Sequence, residues 1–169
     1  MRDLVPKFGV LLAIVFVGML LAGLYGAFHN QLSYTVSREY FTEFKFLQFG
    51  LSDPAVPERV RASIVGFLAS WWMGFPIGLL IGLVGLIQQG YKRMFTVSIK
   101  AMLVAIGFTL LFGLAGLILG SILTSEHGSS RRFIMAGLMH NSAYLGGIIS
   151  IFVAWIYQVM SRARFQRQR

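Results

Sequence analysis

The chain has 169 residues, 56% of them hydrophobic and only 12% charged, against about a quarter charged in soluble domains. That balance, with a mean hydropathy of +0.71, excludes an ordinary water-soluble globule, and the absence of cysteine excludes disulfides, thiol catalysis and any Cys-ligated zinc or iron–sulfur centre. A net charge of +9 would point to nucleic acid in a soluble protein, but here the basic residues flank apolar runs, where they meet anionic lipid headgroups instead.

Four stretches lack Asp, Glu, Lys and Arg altogether: Phe8 to Phe28, Ala62 to Tyr91, Ala101 to Ser125 and Phe133 to Ser161. Each exceeds the roughly 20 helical residues needed to cross about 30 Å of hydrocarbon. Lipid offers the backbone no hydrogen-bond partner, so spans of this length are helices. The expected fold class is all-α: a polytopic integral membrane protein, a four-transmembrane-helix bundle forming one domain over residues 1–169. Its helices are placed at about 8–28, 62–88, 98–123 and 136–160, with an extracytoplasmic connection over 29–61 and a basic cytoplasmic tail over 161–169.

The first stretch follows Arg2 and Lys7 in the manner of a signal peptide. Its uncharged core is longer than the roughly 7 to 15 residues of a signal core, and no convincing small-x-small site follows before His29, so it reads as a retained helix. In the connection that follows, Leu32, Tyr34 and Val36 alternate with Ser33, Thr35 and Ser37, the two-residue period of a short strand. From Arg38 the period changes. Tyr40, Phe41, Phe44 and Leu47 form a helical stripe, with Arg38, Glu39, Thr42, Glu43 and Lys45 mostly opposite. Ser37 stands where it would cap this helix, and Glu39 in its first turn favours the dipole. An amphipathic segment so rich in aromatic rings suits the headgroup region. Its other possible roles are a lid over the bundle, or a partner-docking surface presented by Tyr40, Phe41 and Phe44. Asp53-Pro54 and Pro57-Glu58 then signal the start of the second helix.

Within the second span, Gly74, Gly78 and Gly82 recur every fourth residue, and Gly116 and Gly120 do so in the third. Such rows let helix backbones approach closely, inside one bundle or between the copies of a homo-oligomer. Pro76 removes an amide and is expected to kink its helix. Trp71 and Trp72 lie several residues inside the span, so at least one is expected to pack against protein. The short turn from Gln88 to Phe95 makes the second and third helices an antiparallel hairpin. The tail from Ser161 reads as a basic anchor on the inner leaflet, with partner binding as its alternative.

Arg2, Lys7, Lys92, Arg93, Lys100, Arg162, Arg164, Arg167 and Arg169 fall on one side of this topology, and Arg38, Lys45, Arg59, Arg61, Arg131 and Arg132 on the other. The positive-inside rule puts the first set in the cytoplasm with both termini, and a bacterial inner membrane suits such a chain.

His29, His127 and His140 all fall on the opposite side. Tyr25 precedes His29 by one helical turn and Tyr144 follows His140 by one, while Asn30 and Asn141 come directly after the two histidines. If the first and last helices are neighbours, two imidazoles and two phenols converge. Imidazole is both a transition-metal ligand and a proton carrier near neutral pH, and Glu39 or Glu43 would add a carboxylate. The candidate metal site is therefore His29, His140, Glu39 and Glu43, with Tyr25, Asn30, Asn141 and Tyr144 around it; the plainer alternative is that these groups hydrogen-bond one another at the helix ends. His127, between Glu126 and Gly128, reads as a solvated turn residue.

No His-Glu-x-x-His or Gly-x-Ser-x-Gly occurs, and no charge lies deep in a span, so neither hydrolysis nor ion-coupled pumping is supported. Three functions are left. The first is a non-enzymatic partner- or lipid-binding accessory protein presenting its aromatic segment outside; the second is a metal- or redox-cofactor protein using His29 and His140; the third is an oligomeric channel or transporter packed through the glycine rows. The expected partners are the bilayer and a membrane protein or second copy, not nucleic acid.

Overall fold

The computed structural model describes residues 4–125 and 127–168; Arg2 and Arg169 of the charge count, and Glu126 beside His127, lie outside the described residues. All regular structure among them is helical. In order, the elements are α1 (Leu4–Val36), a π-helical turn (Phe41–Lys45), α2 (Phe46–Gln48), α3 (Glu58–Ser70), a 3-10 turn (Trp71–Met73), α4 (Gly74–Gly85), α5 (Tyr91–Leu123) and α6 (Gly128–Arg167). With α3, the 3-10 turn and α4 taken as one span, four helices are long and apolar enough to cross a membrane.

Their side chains are sorted for an apolar solvent. Phe8, Leu12, Phe16, Leu20, Leu24 and Phe28 form an exposed stripe along α1 at every fourth residue, while Ser33, Ser98, Ser150 and Gln158 are buried. Lipid tails are as apolar as leucine, so such helices associate through close backbone packing and internal hydrogen bonds, not by hiding large apolar groups.

Glycine makes the close packing possible. A Cβ at Gly78 would lie 3.1 Å from the Val15 Cα, one at Gly82 would lie 2.5 Å from the Leu11 side chain, and one at Gly74 would run into the Gly18 carbonyl. The same seam continues upward, where Gly66 meets the Gly26 backbone. On the other side of the bundle, a Cβ at Gly120 would lie 3.1 Å from the Met135 Cα and one at Gly116 would lie 2.6 Å from the Leu138 carbonyl. Both glycine rows are thus occupied within the chain. They join α1 to the second span and α5 to α6, giving two helix pairs that pack face to face.

The interruption of the second span follows from Pro76, which has no amide for the carbonyl of Trp72, one turn earlier. The chain tightens there into the 3-10 turn, and the Gly74 amide reaches back to the Trp71 and Trp72 carbonyls. Both indoles are exposed, Trp71 by 39% and Trp72 by 54%, contrary to the expectation that one would pack against protein. The face turned to α1 is a glycine seam where backbones touch, which leaves an indole no room.

The alternation of Leu32, Tyr34 and Val36 is not a strand: α1 continues through it. Its polar groups are satisfied in the helical conformation by α3 and by the preceding turn. Gln31 Nε2 donates to the Arg59 carbonyl and to Ser63 Oγ, each at 2.8 Å, and Thr35 Oγ1 donates to the Gln31 carbonyl at 2.9 Å. The connection to the second span therefore shortens from residues 29–61 to 37–57. The start at Pro57-Glu58 reads as anticipated, whereas Asp53-Pro54 opens a turn and not the helix, and the stripe from Tyr40 forms a π-helical turn. Ser37 Oγ accepts the Tyr40 amide at 3.2 Å, Asp53 Oδ1 accepts the Ala55 amide at 2.9 Å, and α3 begins at Glu58 behind Pro57. At the other terminus α6 runs on through the basic segment to Arg167.

A cavity beside the aromatic segment

The first and last long helices do bring His29 and His140 together. Their rings meet edge to face with centroids 5.0 Å apart, and both are buried. One turn deeper on α1, the Tyr25 hydroxyl lies 3.3 Å from His29 Nδ1. His140 Nδ1 lies 2.8 Å from the Ala136 carbonyl and Nε2 3.1 Å from Asn30 Oδ1. The amide nitrogen of Asn30 is itself occupied, donating to the Ala62 carbonyl at 3.0 Å. One group stands apart: His29 Nε2 is buried with no hydrogen-bond partner.

These residues form the polar end of a cavity of about 120 Å³ between the two helix pairs. On the scale where one water needs roughly 10–15 Å³, that space holds far more than a single solvent molecule. It extends along α1 from Gly18 to Asn30, about 18 Å at 1.5 Å per residue. Away from the histidines its walls are mostly apolar, with Leu21, Val65, Ile77, Met102 and Ile106 interrupted by Ser70, Thr109 and Ser150. Tyr144 belongs to the wall and is also 47% exposed, so its ring stands where the cavity reaches the side of the bundle.

The aromatic segment packs on His140 at the polar end. Tyr40 and Phe41 are buried, with ring centroids 5.1 and 6.4 Å from that of His140. Burial, and then the neighbouring Tyr144, push the Tyr40 phenol up to about 12. Charged contacts clamp the segment in place. Glu58 takes a bidentate hydrogen bond from Arg38, at 2.6 and 2.5 Å, and a further one from the Tyr34 hydroxyl. Arg61 donates to the Leu51 carbonyl at 3.1 Å with its guanidinium 4.4 Å from the Phe46 ring centre. Arg132 lies 3.7 Å from Glu39. The Glu39 carboxyl is held below the usual carboxylate range by its own backbone amide, then by Ser37 and Arg132.

Of the residues singled out from sequence, Tyr25, His29, Asn30, His140 and Tyr144 line the cavity. Glu39 faces Arg132, and Glu43 and Asn141 are exposed, so the four anticipated ligands are not gathered; no cluster of three His, Asp or Glu able to hold a metal occurs among the described residues. Of the anticipated docking residues only Phe44 remains exposed, at 41%. His127 is exposed at the start of α6.

Lys45 is the cavity residue that sequence reasoning missed. It was assigned to the polar face of an α-helix, but the π-helical turn shifts the phase and makes it part of the cavity lining. Its ammonium donates to Gln48 Oε1 at 3.0 Å and lies 4.7 Å from the Phe44 ring centre, and burial lowers its pKa. Gly18, Gly26 and Gly66 were missed as well, although Gly18, Ala22 and Gly26 recur at every fourth residue and mark the matching side of the seam. No family model, curated protein or solved structure matches this chain.

Proposed function

We propose that this is an integral membrane protein that binds a lipid-like amphipathic molecule between its two helix pairs, with the aromatic segment as a lid. The observation that carries this reading is an elongated, mostly apolar cavity ending at a buried, unpaired imidazole nitrogen. Apolar walls with a few convergent polar groups are the usual make-up of a small-molecule site. Leaving a buried polar group without a partner costs about 1–3 kcal/mol. A ligand whose head hydrogen-bonds His29 Nε2 offsets that cost, and its chain lies along the apolar walls. Entry is from the side, past Tyr144, where the molecule already resides in the bilayer. By the positive-inside rule the histidine end faces outward from the cytoplasm, and a bacterial inner membrane fits the charge distribution.

The reading as a metal protein has less in its favour: both ring nitrogens of His140 face oxygens, and Glu39 and Glu43 are engaged or directed elsewhere. The channel reading loses its premise, because the glycine rows pack α1 on the second span and α5 on α6.

Gly147 lines the cavity, and a Cβ placed there meets only Thr109 Oγ1, at 4.0 Å. Gly147→Leu therefore adds bulk to the cavity wall at a position where the Cβ itself meets no close helix contact. Native mass spectrometry of protein released from mild detergent should find one bound amphiphile per wild-type chain and little on the variant. Wild-type chains that carry none, and take up none when delipidated protein is offered total membrane lipid, would refute the proposal.

A further inference from the structure

We infer that the head of the bound molecule is anionic, a carboxylate or phosphate carried on the apolar chain; this rests on the lipid-like occupant proposed above. Three observations converge on it. First, among the described residues Lys45 is the one charged residue in the cavity lining, and no Asp or Glu lies there. Of the nearby acids, Glu39 pairs with Arg132, Glu58 at the start of α3 pairs with Arg38 and Glu43 is exposed, while Lys45 contacts only an amide oxygen and aromatic faces.

Second, His140 has an oxygen against each ring nitrogen. Neither can be turned into a donor: one is a backbone carbonyl, and the Asn30 side chain is fixed in orientation by its own donation to the Ala62 carbonyl. A neutral imidazole donates from one nitrogen only, leaving a lone pair facing an oxygen. An imidazolium donates from both and satisfies the arrangement. Burial beside Lys45 disfavours that cation in the absence of a counter-charge, and an anionic head in the adjacent cavity supplies one.

Third, His29 Nε2 is free. In the tautomer in which the Tyr25 hydroxyl donates to Nδ1, the ring proton sits on Nε2, and an anionic head selects that tautomer. A head held by this N–H and flanked by Lys45 and His140 gains charge-assisted hydrogen bonds, roughly twice as strong as neutral ones. Carboxylate and phosphate share this chemistry, as does a free anion drawn from solution.

Titration of the delipidated full-length protein with palmitate, palmityl phosphate, palmityl alcohol and inorganic phosphate separates these cases. At least one charged chain should bind about tenfold or more tighter than the alcohol. That preference should collapse in Lys45→Met, read as the ratio of charged-chain to alcohol affinity within the variant; a ratio equal to that of wild type would overturn the inference. Equal affinity for acid, phosphate and alcohol would overturn the anionic head while leaving the lipid-like site standing. No binding of any chain would remove that site and this inference with it. Tight binding of inorganic phosphate alone would overturn the chain-borne head in favour of a soluble anion.

Discussion

Gln158 illustrates how single polar groups hold this bundle. Fully buried on α6, it donates from Nε2 to the Ile81 carbonyl at 2.9 Å, accepts from Ser98 Oγ at 3.4 Å through Oε1, and offers its backbone carbonyl to Gln88 Nε2 at 2.9 Å. One side chain thus ties α6 to α4 and α5 at the end of the molecule opposite the histidines. Lys7 adds to the same end by donating to the Leu86 and Gln88 carbonyls, each at 2.9 Å, which finishes the second span where its helix has run out. Where no water can step in, Gln158→Ala leaves the Ser98 hydroxyl without its acceptor, and the variant should lose about 1–3 kcal/mol. Thermal unfolding in mild detergent reads this as a lowered midpoint; an unchanged midpoint would mean that the network contributes nothing. Nothing in the sequence marked this residue, since an uncharged glutamine in an apolar stretch has the same appearance whether it faces lipid or the centre of a bundle.

Among the elements, the seam between α1 and the second span sets the geometry of the cavity. At its upper end Gly66 and Gly26 touch backbone to backbone, so any side chain at either forces the helices apart. Gly66→Val should destabilise by about 1–3 kcal/mol, the usual cost of overpacking, and should also reduce ligand retention because Val65 beside it lines the cavity. If the variant matches wild type in both thermal midpoint and bound amphiphile, the seam is not what spaces these helices. The row of Gly74, Gly78 and Gly82 was legible in the sequence; its partner on α1 was not, because sequence spacing shows which residues share a face without showing what that face meets. The strand expected over residues 32–36 failed for a related reason. Period-two alternation across so short a segment also fits a helix, and partners on α3 decided between them.

For the molecule as a whole, the two helix pairs, the cavity between them and the aromatic segment beside it form one arrangement with distinct ends. The histidines, Lys45 and the clamped segment occupy one end; Lys7, Arg93 and the basic continuation of α6 occupy the other. Orientation in the membrane can be tested without background, because the chain has no cysteine. Gln48→Cys and Arg164→Cys are both surface substitutions, at opposite ends. An impermeant maleimide added to intact cells should label the first and spare the second until the membrane is opened. The reverse pattern would invert the topology and bring the ligand head to the cytoplasmic side.

Sequence alone determined that the chain is all-α with four helices long and apolar enough to cross a membrane, because the absence of charge over a membrane thickness and the demand for internal hydrogen bonds act on every residue of a span without reference to its neighbours. The tertiary structure decided what the histidines face. The pairing of α1 with α6, the shift in phase at the π-helical turn that brings in Lys45, and the turning of Glu39 toward Arg132 all depend on contacts between segments distant in the chain. Periodicity carries no information about such contacts, so the cavity and the burial of Tyr40 and Phe41 beside it became legible only once the helices were packed.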